Sequence, residues 1–326
     1  TGKQLKASSA NSAYTAVIGK GLVELGNERA DLAVITAAMP SGTGTGAFAK
    51  AHPKRFFDVG IAEGHAVTFS AGLATRNIRP VVTIYSTFLQ RGYDNIIHDC
   101  ALQHLPVVFA MDRAGLVGED GETHMGLYDI AYMLAIPGMI VTAPKDGTEM
   151  LALLRAGLEQ SAEPFCLRYP RDATPDVVPE ISQIPATQHA TWEVMRRGHE
   201  FAILAVGTMV LPAMAAADAL KAEGLDVTVV NCRYLKPYDE VTLNAVLADH
   251  THVLTLEEGT VVNGFGAYMS AIIQRLAPNV RVAVHGVPDR IIYSASRVKQ
   301  LATLGLDATG IAARVRALHE SEAMAG

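Results

Sequence analysis

The sequence predicts an α/β protein of two doubly wound domains, and three observations carry that prediction. Apolar runs of strand length alternate with segments whose apolar residues recur at helical spacing, the order that builds parallel sheets. Polar clusters follow several of those runs directly, as they do where open α/β sheets place ligands at the carboxyl edge of their strands. An irregular stretch bearing Pro175, Pro179 and Pro185 separates two such series.

In chain order, residues 1–10 are small and polar and read as the end of a linker. Tyr14, Val17, Ile18, Gly21, Leu22 and Leu25 then recur at helical spacing, and residues 32–36 read as a buried strand. A second strand at 56–59 runs through Gly60 into a helix marked by Ile61, Ala62, His65, Ala66, Phe69 and Leu73. Strands at 80–85, 107–111, 140–143 and 165–168 follow, with helices at 94–103, 128–134 and 147–158 between them. This gives a mostly parallel six-stranded sheet in a first domain, residues 1–171, followed by a linker, 172–192. In the smaller second domain, 193–326, strands at 201–206, 227–231, 252–256 and 281–285 alternate with helices at 211–223, 239–249 and 262–276.

Composition narrows the function class. A chain of 326 residues is long enough for two α/β domains with full cores. Apolar residues make up 49% and charged ones 18%, and the mean hydropathy of +0.20 arises without a run of membrane-spanning length, so a soluble protein is expected. A net charge of −6 with no basic face argues against nucleic acid as the main partner. Cys100, Cys166 and Cys232 stand isolated among apolar neighbours, which reads as reduced, buried thiols in a cytoplasmic protein. The opening Thr1-Gly2-Lys3-Gln4-Leu5-Lys6 has neither a signal-peptide core nor an initiator Met and reads as a cut in a longer chain. His98 with Asp99, and His250 with His252, lack ligand-cluster spacing, so no metal ligand is expected.

Three polar clusters fall on one sheet edge. The first is Asp58-Val59-Gly60-Ile61-Ala62-Glu63-Gly64-His65, which puts Glu63 in the first turn of a helix. The helix N-terminus favours its negative charge, while Ile61, Val67 and Phe69 suggest a dry setting that opposes it. Such a carboxylate either trades a proton or simply matches the dipole. The second cluster runs from Ile84 to Asp94, and the third from Asp112 to Gly126. Two glycine signals read as structural: the loop at 39–46 lacks the Lys-Ser/Thr of a phosphate loop and is expected to be a flexible rim. Gly264-Phe265-Gly266, preceded by Glu257-Glu258, reads as tight packing at a helix start.

Glu63 with its flanks, Tyr85-Ser86-Thr87-Phe88-Leu89-Gln90-Arg91 and Asp112-Arg113-Ala114-Gly115 together resemble the pyrimidine-binding domain of thiamin-diphosphate enzymes of the transketolase superfamily. Within it the likeness is to the 1-deoxy-D-xylulose-5-phosphate synthases and extends over nearly the whole chain. The second domain resembles the transketolase C-terminal domain, whose role is largely structural and dimer-forming. Gly64 stands where many members carry Gln. The Gly-Asp-Gly motif with a following Asn, by which the family's other half holds metal and diphosphate, is absent from the sequence.

The resemblance implies thiamin diphosphate and Mg2+ as cofactors, with the metal ligands outside these residues. It implies condensation of pyruvate with glyceraldehyde 3-phosphate and release of carbon dioxide by a homodimer. It also implies a missing N-terminal domain or partner subunit, without which this chain is inactive. A β subunit of a split transketolase or of a 2-oxo-acid dehydrogenase is the alternative enzyme, and a non-catalytic scaffold the alternative outside catalysis.

Residue by residue, the resemblance assigns Glu63 the hydrogen bond that brings the cofactor's aminopyrimidine into its imino form. Phe88 supplies the face on which that ring stacks, Tyr85 a wall with a polar tip that also meets substrate, and Ile61 and Val117 further lining. Arg91 turns either to this pocket or to a carboxylate such as Asp94. Arg113 and Arg171 fall on the substrate phosphate, which forked guanidinium donors suit, with surface salt bridges as the alternative. Asp120 accepts from a substrate hydroxyl, and His124 shuttles a proton or steadies an alkoxide. His65 is expected to pack, and Arg168 to point away from substrate.

Overall fold

The computed structural model describes residues 12–323, with side chains described as far as residue 320; the linker end expected at 1–10 lies outside the described residues. Helix α1 (Tyr14–Glu28) leads to β1 (Leu32–Thr36), α2 (Gly46–Ala51) to β2 (Phe56–Asp58), and α3 (Glu63–Ala74) to β3 (Arg79–Tyr85). Short helices α4 (Ser86–Leu89) and α5 (Tyr93–Asn95) and a π-helical turn at Ile96–Ala101 precede β4 (Val108–Asp112). Then come α6 (Asp129–Ala135), β5 (Ile140–Thr142), α7 (Gly147–Glu159) and β6 (Phe165–Arg168). The second series is β7 (Glu193–Arg196), β8 (Glu200–Ala205), α8 (Val210–Ala222), β9 (Thr228–Asn231), β10 (Tyr234–Lys236), α9 (Glu240–Asp249), β11 (His250–Thr260), α10 (Phe265–Leu276), β12 (Arg281–Val287), α11 (Arg297–Thr303) and α12 (Ala308–Ala323).

Both sheets carry one strand more than the sequence suggests. The first has seven, in the order β10-β5-β6-β4-β3-β1-β2, and the second five, in the order β12-β11-β8-β9-β7. In each, the added strand is an antiparallel edge on a parallel sheet. β10 crosses from the second series to pair Tyr234 with Thr142 and Lys236 with Val141, and β7 lies against β9. Strands β7, Glu-Val-Met-Arg, and β10, Tyr-Leu-Lys, carry charged residues and offer no continuous apolar run, unlike the equally short β5 and β6, which are buried throughout. Two further differences are local: the loop expected over 39–46 turns into α2 from Gly46, and the helix expected at 94–103 is largely a π turn. Side-chain caps fix other starts where the sequence offers an acid, since Asp146 accepts from the Glu149 N–H at 2.7 Å and Asp239 from that of Thr242 at 2.9 Å.

Side-chain alternation along β8 explains how the two halves join. Ala202 and Leu204 belong to the large core that continues through the first sheet, with Ile35, Val82, Phe109 and Leu167. Phe201, Ile203 and Ala205 face the other way into a second core with Leu220, Leu306 and Val315. That second core also takes up Leu116, Val117, Met125 and Leu127, all from the loop after β4. The second domain therefore packs directly against the third polar cluster. Among the described residues, no helix is long and apolar enough to cross a membrane.

At the start of α10 the carboxylate of Glu257, fully buried, accepts the N–H groups of Phe265 and Gly266 at 2.8 and 2.7 Å. Burial pushes this carboxyl from 4.5 up to about 7, against the pull of those two donors. The folded protein thus keeps a proton that the unfolded chain releases above 4.5, and the group's contribution to stability falls as pH rises from 4.5 towards 7. Glu257→Gln is expected to remove this slope. Urea midpoints at about pH 5 and about pH 8 should show the difference between variant and wild type moving in the variant's favour by on the order of 2 kcal/mol. Asp112, pushed up to about 6 by burial, titrates in the same sense in both proteins and cancels in the comparison. An unchanged difference at the two pH values refutes the assignment.

Candidate functional site

The turn between β2 and α3 is built by Asp58 and Gly60. Gly60 takes φ +71°, a conformation that side chains disfavour, and the Asp58 carboxylate accepts the N–H groups of Gly60 and Ala38 at 3.0 and 2.8 Å. This turn places Glu63 as the first residue of α3, at the carboxyl end of its strand, with 4% of its surface exposed. Ile61, two residues earlier, is 82% exposed, so these residues alone enclose no wall there. At Gly64 a Cβ would come within 2.8 Å of Asn95 Oδ1, so the glycine lets the α5 segment approach α3. His65 stacks on Phe69 with ring centroids 6.1 Å apart.

The second cluster meets the first through Arg91. Its Nη1 donates to Glu63 Oε1 at 2.5 Å, while its guanidinium carbon lies 5.1 Å from the centre of the Phe88 ring. Of the partners the sequence left open, the carboxylate is that of Glu63 and not Asp94. Phe88 in turn stacks on Tyr85 at 5.6 Å and 15°, and meets His124 edge-on at 5.2 Å. Two parallel rings and a buried carboxylate therefore share one small region, a combination suited to a flat heteroaromatic with a hydrogen-bonding edge.

The arginines expected on phosphate converge on one oxygen. Arg171 Nε lies 3.2 Å from Asp120 Oδ2, and Arg113 Nε 3.7 Å from the same atom. Arg113 sits in the left-handed region at φ +60°, a strained placement for a non-glycine residue, with its guanidinium 4.0 Å from the Tyr85 ring centre and Nη1 donating to the Gly42 carbonyl at 2.6 Å. Its Nε is buried and has no hydrogen-bond partner among the described residues. Gly42 has no room for a side chain, since a Cβ would fall 2.0 Å from the Tyr85 hydroxyl. Burial raises the pKa of that hydroxyl, with the Arg113 charge opposing. Two guanidinium groups around one anionic oxygen can receive a dianion such as a phosphate. Arg168 is buried elsewhere, donating to Asp129 Oδ2 at 2.9 Å and to the Glu258 carbonyl at 3.1 Å.

Several supports escaped the sequence reading. The loop bearing Asp120 and His124 is closed by paired hydrogen bonds between Gly115 and Gly126, at 2.7 and 2.9 Å. The second domain then holds it: Glu258 Oε1 accepts from Leu116 N at 2.8 Å and Gln300 Oε1 from Gly118 N at 3.0 Å. Glu258 is itself gripped by Arg297, which reaches on to Asp172 at 2.6 Å. Val117, expected to line the pocket, instead joins the second core, because the apolar face of the loop is drawn under that domain. Among the described residues, no group of three or more His, Cys, Asp or Glu side chains gathers as a metal site would require.

Residues 10–176 match the transketolase pyrimidine binding domain, and residues 190–311 match the transketolase C-terminal domain. The chain belongs to the transketolase family.

Within the transketolase family, a 1-deoxy-D-xylulose-5-phosphate synthase of Aquifex aeolicus is 47% identical over 97% of this chain and 50% of its own length. A synthase of the same description from Geobacter sulfurreducens is 44% identical over 97% of this chain and 50% of its length. The chain thus spans about half the length of these curated relatives. Among solved structures, one described as a split gene transketolase, inactive beta4 tetramer, matches with a TM-score of 0.83 and 30% identity, covering 94% of this chain and 97% of its own. A transketolase from Pichia stipitis shares the fold at a TM-score of 0.77 and 19% identity, over 94% of this chain and 46% of its own. Both likenesses run through the two domains in one alignment, so the transketolase-family chain carries its pyrimidine-binding and C-terminal units in the family's order.

Proposed function

We propose that this chain is the pyrimidine-binding and C-terminal part, residues 1–171 and 193–326 around a linker at 172–192, of a cytoplasmic, homodimeric 1-deoxy-D-xylulose-5-phosphate synthase. It condenses pyruvate with glyceraldehyde 3-phosphate and releases carbon dioxide. The observation that carries this reading is the pair Arg113 and Arg171 on Asp120, since a phosphosugar acceptor needs such a clamp and a lipoyl acceptor does not. The synthase relatives over the whole described length support it.

Thiamin diphosphate fits the residues present: Phe88 offers a stacking face and Glu63 a buried carboxyl at the ring edge. When bound, this cofactor supplies the carbanion that adds to pyruvate, and its diphosphate and Mg2+ are assigned to the half of the enzyme that these residues do not contain. Glu63 holds a hydrogen bond at the ring nitrogen of the pyrimidine, and Phe88 and Tyr85 fix that ring's plane. Arg113 and Arg171 hold the acceptor phosphate, Asp120 accepts from an acceptor hydroxyl, and His124, at the edge of Phe88, moves the proton at the acceptor carbonyl oxygen.

A split-subunit arrangement is the second reading, favoured by the 97% coverage of the split gene transketolase chain. Combining this chain with its diphosphate-binding half tests both. Product formation and carbon dioxide release from pyruvate and glyceraldehyde 3-phosphate are expected. Ketol transfer between sugar phosphates without carbon dioxide would assign the chain to a transketolase instead, and no turnover with either set would leave a scaffold.

A further inference from the structure

We propose that Arg297, at the start of α11 in the second domain, is a positioning residue for acceptor recognition: it ties together the two chain segments that carry the arginines of the phosphate clamp. The inference deepens the functional reading above and rests on it. One segment is the loop after β4, which Arg113 opens and which bears Asp120; the other follows β6 and ends in Arg171 and Asp172. The Ser296 hydroxyl accepts from the Lys299 N–H at 3.3 Å, which starts α11 and so sets where Arg297 emerges.

The guanidinium divides its donors between the two segments. Its Nε donates to Glu258 Oε1 at 3.1 Å and its Nη2 to Glu258 Oε2, a forked pairing. Oε1 of the same carboxylate accepts from Leu116 N at 2.8 Å, so the fork is fastened to the first segment. The remaining nitrogen, Nη1, donates to Asp172 Oδ2 at 2.6 Å, next to Arg171 in the second. On the first segment the approach leaves no room for side chains: a Cβ on Gly115 would fall 2.8 Å from Glu258 Cδ, and one on Gly118 3.1 Å from Arg297 N. A loop shaped this closely to Glu258 and Arg297 moves with them.

The sheet joins the segments at their roots, where Ala114 N donates to the Tyr169 carbonyl at 3.0 Å. Beyond that point Arg113 and Arg171 meet on Asp120 Oδ2, at 3.7 and 3.2 Å. This second link lies where the acceptor binds. An acceptor phosphate competes for both guanidinium groups and an acceptor hydroxyl for Asp120, so the link weakens as the site fills. The link through Arg297 uses no group that the acceptor touches, and the Arg297 side chain is 16% exposed, so it persists. Tyr14 N also donates to the Asp172 carbonyl at 3.0 Å, which anchors the second segment to α1 but not to the Asp120 loop. The expected effect of losing the tie is therefore moderate and confined to the clamp.

The test is steady-state and single-turnover kinetics of the complete enzyme. Arg297→Lys keeps a charge for the buried Glu258 but lacks the fork and gives up Asp172, while Asp172→Ala cuts the same tie from its other end. Each is expected to raise KM for glyceraldehyde 3-phosphate about fivefold, with single-turnover carbon dioxide release from pyruvate and KM for unphosphorylated D-glyceraldehyde unchanged. The double variant should be no worse than either single one, because both remove one interaction, and neither substitution should raise KM further in an Arg171→Met background. An unchanged KM in Asp172→Ala, whose side chain is 47% exposed, overturns the inference even where Arg297→Lys does not fold. Equal losses with glyceraldehyde, full additivity with Arg171→Met, or a fall in kcat for both half-reactions at constant KM also overturn it, the last being the mark of a purely structural role. A wild-type enzyme that condenses neither acceptor, or shows no preference for the phosphorylated one, overturns the functional reading, and this inference with it.

Discussion

Glu63→Gln is expected to lower carboligation by the complete enzyme about 10³-fold while leaving cofactor affinity within about tenfold of wild type. The amide has the size of the carboxyl and can still donate one N–H towards a ring nitrogen, so stacking on Phe88 and the position of the ring survive. What it cannot do is give up a proton there, and proton transfer by a placed side chain typically contributes ~10²–10⁴-fold. The site is dry enough for that loss to be felt in full, because Glu63 is 4% exposed and water has little access to replace it. The variant also loses the charge that holds Arg91, so the guanidinium is freed and only a modest change in binding follows. Single-turnover release of carbon dioxide from pyruvate, measured at saturating thiamin diphosphate, checks it. Activity within tenfold of wild type at full cofactor occupancy would remove Glu63 from the chemistry and leave it as a first-turn acid that matches the helix dipole.

The position of Glu63 was legible because it depends on neighbours in sequence. An apolar strand, a glycine able to adopt positive φ and a helical period follow one another within about a dozen residues. Its partner was not legible in the same way. Arg91 lies 28 residues on from Glu63 and only three from Asp94, and it is the packing of α3 against the α4–α5 segment that turns it to the carboxylate of the pocket. The supports of the Asp120 loop lie further still: Glu258 and Gln300 reach it across separations of 142 and 182 residues. Their side chains carry no local pattern, since a glutamate on a strand and a glutamine on a helix are equally at home on any surface. Val117 shows the reverse error. It was expected among the pocket lining, but an apolar side chain there gains more by joining the second core. The edge strands β7 and β10 escaped because charged residues at their ends leave no apolar run, whereas β5 and β6, no longer, are largely apolar and buried and were read.

Replacing the arginines one at a time is expected to separate acceptor recognition from the pyruvate half of the reaction. A charge-assisted hydrogen bond to phosphate contributes roughly 1.5–3 kcal/mol, so Arg171→Met should raise KM for glyceraldehyde 3-phosphate about 10- to 100-fold with little change in pyruvate decarboxylation. Arg113→Met should act more strongly, about 100-fold or beyond, because its side chain is only 13% exposed and also ties the Gly42 carbonyl and the Tyr85 ring into the site. Arg171→Lys keeps a point charge but not the fork, and an intermediate effect is expected. The two single effects should not add in the double variant, since both guanidinium groups engage the same Asp120 oxygen and removing one alters what the other meets. Unphosphorylated D-glyceraldehyde provides the control. If the clamp reads phosphate, each variant loses its preference for the phosphorylated acceptor while its rate with glyceraldehyde stays close to wild type. A parallel loss with both acceptors would instead make the arginines supports of the Asp120 loop, and the assignment of a phosphosugar acceptor would lose the observation that carries it.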